Sequence, residues 1–225
     1  MTVRPRITVI NPNSLASVTA AIDRAVAPLR RLPVDIVCLT NPDGPAGIQT
    51  QTEADAAIVP MLALAEREAA ASAAFVIACF SDPGLYSLRE RVAVPVLGIG
   101  ECAMLTALSI GQRVGVIAMA SGVIPRHLRY FHAMGVAGRI CGERALDLRV
   151  ADTANADTTF ARMQGVALRL RDEDGADVLI MGCAGLADLR LRLQDACGLP
   201  VVEPTQTAVG MAIGRLAAEP SVVLA

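Results

Sequence analysis

Val76-Ile77-Ala78-Cys79, followed by Phe80-Ser81-Asp82-Pro83-Gly84, is a short apolar run that stops at a cysteine and turns. Ile180-Met181-Gly182-Cys183, followed by Ala184-Gly185, repeats the arrangement 104 residues later. A continuous apolar run of this length between turn residues reads as a buried strand. Other landmarks recur at nearly the same distance. Pro95-Val96-Leu97 returns as Pro200-Val201-Val202 at 105 residues, and Val9-Ile10 and Ser14 return as Val116-Ile117 and Ser121 at 107. Cys38 is followed by Cys141 at 103. An offset close to half of a 225-residue chain implies one α/β lobe present twice.

From these landmarks, β-branched runs alternate with Ala/Leu-rich helical patterns in both directions. Strands are expected over 7–11, 34–39, 74–79, 94–98, 113–118, 137–141, 177–182 and 200–203. Helices are expected over 14–30, 52–71, 85–91, 102–110, 121–134, 155–172, 186–197 and 205–218, with Pro60 kinking or restarting the second. Strand–helix alternation with continuously apolar strands points to parallel sheets covered on both faces. The expected fold class is α/β: two pseudo-symmetric lobes, each a mostly parallel sheet flanked by helices, with the active site in the cleft between them. The lobes are expected over 1–98 and 99–205, with a C-terminal helix over 206–225 able to pack back on the first lobe. Clefts at the carboxyl ends of parallel strands are where such folds bind small molecules.

Composition narrows the function. Hydrophobic residues make up 53% of the chain and the mean hydropathy is +0.48, which raises the question of a membrane protein. No apolar stretch approaches the ~18–20 residues a spanning helix needs. All 20 basic residues are Arg, scattered among 22 acids, and Trp is absent, so neither a basic stripe nor a stacking platform for nucleic acid exists. Met1-Thr2-Val3-Arg4-Pro5-Arg6 leads directly into the first strand without a signal peptide, and the six cysteines read as free thiols. The expectation is a cytoplasmic protein acting on a small molecule, with no nucleic-acid or membrane partner.

Cys79 and Cys183 are the candidate catalytic residues. Each is placed at the carboxyl end of a strand, ahead of a turn and a helix, where a helix start lowers a thiol pKa toward neutrality. The same amides could hold an anionic oxygen. Two thiols aimed at each other can remove a proton from one face of a carbon and return one to the other face. The carbon must adjoin a carbonyl, and no metal or cofactor is needed. In Asn11-Pro12-Asn13-Ser14, Asn13 or Ser14 reads as the cap of the first helix, and Asn11 and Asn13 read equally as a clamp donating to the enolate. Gly98-Ile99-Gly100-Glu101 reads as a tight turn with Glu101 in the first helical turn, its counterpart being Glu203-Pro204-Thr205-Gln206. His127 and His132, five apart on one helix without an acid at i+4, read as surface or interface residues. Cys38, Cys141 and Cys197 are expected to pack, and Cys102 remains open. No CxxC supports a metal site.

At Ile10-Asn11-Pro12-Asn13-Ser14, Ala78-Cys79-Phe80-Ser81-Asp82-Pro83-Gly84-Leu85, Gly98-Ile99-Gly100-Glu101 and Gly182-Cys183-Ala184-Gly185-Leu186, the chain resembles the hydantoin and allantoin racemases of the aspartate/glutamate racemase superfamily. The resemblance covers essentially the whole chain. It implies two similar α/β lobes, cofactor-independent racemisation of a 5-substituted hydantoin or allantoin by Cys79 and Cys183, and assembly into a homo-oligomer. Amino-acid racemases of the superfamily usually follow their cysteines with Asn-Thr or Thr-Glu. Here Phe80-Ser81 and Ala184-Gly185 offer backbone groups and an apolar wall, favouring a ring or imide over free glutamate. The last strand ends in Glu203-Pro204-Thr205, where hydantoin racemases tend to carry Asp followed by Gly or Pro. Alternatives are an aspartate or glutamate racemase, a malonate-type decarboxylase using one cysteine, and a non-catalytic binding protein.

Overall fold

A computed structural model describes residues 4–148 and 156–219. The order of elements is β1 (Arg6–Asn11), α1 (Ala16–Val26), β2 (Asp35–Thr40), α2 (Gln51–Glu68), β3 (Ala74–Ile77), α3 (Leu85–Arg91), β4 (Val96–Gly98) and α4 (Ile99–Ile110). The second half repeats it as β5 (Val114–Ala118), α5 (Ile124–Ala133), β6 (Ile140–Ala145), α6 (Ala156–Asp172), β7 (Val178–Met181), α7 (Arg190–Cys197), β8 (Val201–Val202) and α8 (Pro204–Ala217). Asn155, the expected start of α6, and positions 220–225 of the expected last helix lie outside the described residues.

The described residues form two four-stranded parallel sheets, ordered β2-β1-β3-β4 and β6-β5-β7-β8. The duplication is visible in the pairing itself. Ile7 lies opposite Ala74 in one sheet and Val114 opposite Val178 in the other, while Val76 opposite Leu97 corresponds to Ile180 opposite Val202. One landmark changes partner. Cys38 lies opposite Val9, but the counterpart of Val9, Val116, lies opposite Glu143; Cys141 falls at an irregularity in the ladder. Strand β6 runs to Ala145, beyond the expected end at Cys141, because the irregularity moves the pairing onto Glu143, Arg144 and Ala145.

Burial explains the continuous apolar runs. Central strands β3, β5 and β7 are buried at every position, since helices cover both faces. In the first sheet Ile7, Val9, Ala74 and Val76 point to α1 and α8, and Ile10, Phe75 and Ile77 point to α2 and α3. In the second, Val114, Val116, Val178 and Ile180 point to α4 and α5, and Leu179 and Met181 to α6 and α7. The last helices are thus exchanged. Ala103, Met104 and Ala107 of α4 pack on the second sheet, whereas Ala208, Val209, Ala212 and Ile213 of α8 return to the first.

Helix α2 passes through Pro60 as one segment, so of the expected kink or restart the restart does not occur. Proline frees the carbonyl four residues earlier. That residue, Ala56, is exposed, so its freed carbonyl is open to solvent rather than buried without a partner.

Candidate active site

Cys79 and Cys183 leave the two sheets at equivalent points, each the second residue past a strand end. Ala78 N–H donates to Ile10 O and Gly182 N–H to Ile117 O, both at 2.8 Å, so sheet pairing continues to the residue before each sulfur. Both cysteines line one cavity of about 580 Å³, together with Asn13, Phe80, Ala184 and Gly185. Leu15, Ile48, Met119 and Val123 extend its apolar wall; as ordinary aliphatic residues they carried no signal in the sequence. Arg24 and Asp188, also at the cavity, pair with each other at 3.4 Å.

Ser81 faces a second, smaller cavity, yet its hydroxyl lies 3.4 Å from Cys79 Sγ. Asn11 lies behind the wall. Its amide nitrogen donates to Asn13 Oδ1, Leu15 O and Thr19 Oγ1, and its oxygen accepts from Asn13 N–H. Asn13 Oδ1 in turn accepts from Leu15 N–H at 2.9 Å, which leaves its own Nδ2 as the unengaged donor of the pair. Neither Asn13 nor Ser14 caps α1, whose N-cap position is Leu15 without a side-chain bond; the Ser14 hydroxyl donates to Pro45 O instead.

Turns, rather than helix starts, directly follow the two thiols. Helix α3 begins at Leu85, and α7 at Arg190 after a short 3-10 turn over Ala187–Leu189. Burial pushes the Cys79 thiol up, opposed by the hydroxyl and backbone N–H of Ser81 and by the charge of Arg126, with Asp82 adding to the rise. Burial pushes Cys183 up to about 11, opposed by the backbone N–H of Gly185 and reinforced by Cys79 and Glu203. The turn amides of Ser81 and Gly185 therefore serve the sulfurs.

A buried carboxyl stands by each thiol. Asp82, held at φ 45°, accepts from Gly100 N–H, Glu101 N–H and the Tyr130 hydroxyl at 3.0, 2.7 and 2.8 Å. Glu203 caps α8, accepting from Gln206 N–H at 2.6 Å, while its Oε1 is buried without a partner among the described residues. Burial raises both carboxyls to about 7 against these hydrogen bonds. Glu101 is directed elsewhere, to Arg89 at 2.5 Å, and Cys102 is buried in the core.

His127 does not lie at the surface. It is 3% exposed, bonded to the buried Glu143 at 2.6 Å, and its ring stands edge-on to Phe80 at 5.1 Å. Its acid comes from the neighbouring strand β6, which helical spacing could not reveal. His132 is exposed, as expected.

The sequence profile of the Asp/Glu/hydantoin racemase family matches residues 7–212. A hydantoin racemase from Rhizobium meliloti is 34% identical over 214 residues, covering 93% of this chain and 88% of its own. The solved allantoin racemase from Klebsiella pneumoniae superposes with a TM-score of 0.88 at 28% identity, over 95% of this chain and 88% of that one. Arylmalonate decarboxylase, at a TM-score of 0.67 and 20% identity over 96% of this chain and 94% of its own, shares the fold alone. With the family's profile matched across both lobes and a related sequence running nearly end to end, the chain is an isomerase that belongs to the Asp/Glu/hydantoin racemase family.

Proposed function

We propose that this enzyme inverts a carbon α to a carbonyl by proton transfer between two cysteines, without a cofactor, on a 5-substituted hydantoin or allantoin. The observation that carries the proposal is the single cavity lined by Cys79 and Cys183, presented from equivalent points of two facing lobes. One sulfur, as thiolate, takes the proton and leaves the electron pair in the enolate. The other, as thiol, gives its proton to the opposite face, and the two exchange roles for the reverse reaction. Asn13 Nδ2 is the donor for the enolate oxygen, oriented by Asn11. Phe80 and Ala184 supply an apolar wall suited to an uncharged ring, and the names of the hydantoin and allantoin racemases support the same substrate class. A second thiol favours this reading over a one-thiol decarboxylase. A cytoplasmic homo-oligomer belongs to the same proposal, its assembly tested by sedimentation.

The test incubates one enantiomer of a 5-substituted hydantoin, and separately of allantoin, with the protein in D2O. Loss of optical rotation with deuterium at the inverted carbon is expected. Cys79→Ala and Cys183→Ala are each expected to abolish inversion, while exchange on one enantiomer persists. Inversion at the wild-type rate in either variant rejects the two-thiol mechanism.

A further inference from the structure

The two thiols occupy equivalent points, but their surroundings are not equivalent. Ser81 corresponds to Gly185, and both lend a backbone N–H to their sulfur. Only Ser81 adds a hydroxyl, 3.4 Å from Cys79 Sγ. Behind Ser81 a cavity of about 270 Å³ opens between α2 and α5, lined by Gln51, Ser81, Arg126, Arg129 and Tyr130 among others. Arg129 is engaged, donating to Gln51 Oε1 at 3.1 Å. Arg126 is not: its Nε is buried with no hydrogen-bond partner among the described residues. Its charge is felt at Glu53, whose carboxylate already accepts from Gln49 and Thr50 N–H groups, and at Cys79.

Each sulfur has a carboxyl near it, but only Cys79 also has a cation. Cys79 faces Arg126 and Asp82, and the Asp82 carboxyl is engaged by three donors. Cys183 faces Cys79 and Glu203, with no cation among the groups acting on it. Arg24 and Asp188 neutralise each other at the shared cavity. A thiolate is favoured where donors and a cation converge and disfavoured beside a carboxylate.

We propose that Cys79 is the thiol that ionises first and is the base in the singly ionised enzyme, that Cys183 keeps its proton there as the acid, and that Arg126 and the Ser81 hydroxyl are the positioning groups that set this order. The inference deepens the racemase reading and rests on it for its catalytic meaning. In that singly ionised form, only the enantiomer that presents its proton to Cys79 meets a base.

The test needs no substrate. The intact protein is alkylated with iodoacetamide across a pH series, and labelling of each cysteine is followed by peptide mass spectrometry. The pH profile of Cys79 is expected to lie below that of Cys183. Arg126→Met is expected to move the Cys79 profile upward by about one pH unit, slowing its labelling near neutrality about tenfold, and to leave Cys183 in place. Arg126→Lys should restore most of the difference, and Ser81→Ala should move Cys79 in the same direction by less. A Cys183 profile below that of Cys79 overturns the proposal, as does a Cys79 profile unmoved by Arg126→Met. Should Arg126→Met fail to fold, an unmoved profile in Ser81→Ala overturns it. Because labelling is read without turnover, failure to invert a hydantoin would overturn the racemase reading and leave the order of ionisation standing.

Discussion

A buried thiol with a raised pKa is a strong base once ionised, but it ionises late. For the two-cysteine reaction, one sulfur must be deprotonated while the other keeps its proton. Since burial raises both, kcat/KM is expected to climb with pH and to be still climbing at 9.0, the ordinary thiol value. It should fall once both ionise, and the two limbs belong to the pair rather than to either residue. A flat profile through neutrality would contradict this. Asn13→Ala removes an uncommitted amide donor at the cavity and is expected to lower kcat about 10²–10³-fold, with a loss of thermal stability because its Oδ1 also accepts from Asn11 and Leu15. Asn11→Ala should cost stability as well, because four hydrogen bonds end on its side chain. The cysteines could be read from the sequence because a buried strand ending in a thiol, twice, is a local pattern. The division of labour between the two asparagines could not, since it depends on which amide the loop turns inward.

Helices α4 and α8 occupy equivalent positions, and each N-terminus receives a carboxyl, but from different places in the chain. Glu203 caps its own helix. Its counterpart is Gly98, where a Cβ would lie 2.2 Å from Asp82 Cγ, so Asp82 fills from the cysteine turn the space a side chain would have taken. Gly100 is confined in the same way by Phe80 O, also at 2.2 Å from a Cβ. These glycines read in the sequence only as a tight turn, because the carboxyl that Gly98 makes room for is supplied from the preceding cysteine turn. Gly98→Ala is therefore expected to displace Asp82, with a lowered melting temperature as the readout. The carboxyls also fix a pH dependence. Both have folded-state pKa values near 7, above their ordinary 3.8 and 4.5. Their contribution to stability is complete below those ordinary values and is lost as pH rises through about 7. Melting temperature should decline across this window in the wild type and decline less in Asp82→Asn and Glu203→Gln. An unchanged slope in both variants would show that other groups govern it.

At the scale of the molecule, the lobes are joined by more than a cleft. Phe80 leaves the first lobe and packs among Ala103, Val116, Phe131 and Ile180, in the core of the second. Its ring lies 6.0 Å from that of Phe131. Phe80→Ala is expected to cost about 3–5 kcal/mol in a urea titration, the range for deleting a buried aromatic. Unfolding should remain a single transition, because neither sheet keeps a complete cover without the other lobe's helix. The alternation of strands and helices, and the repeat itself, were legible from apolar periodicity. Which sheet each last helix covers was not, since α4 and α8 are apolar enough to fit either. Two copies of one lobe that trade their terminal helices amount to a domain-swapped dimer written into a single polypeptide. In a true dimer of identical chains, the two sulfurs would be one residue used twice, and every neighbour of one would be a neighbour of the other. Joining the copies covalently frees them to diverge, so that a serine can face one thiol and a glycine the other, a distinction no symmetric homodimer could hold.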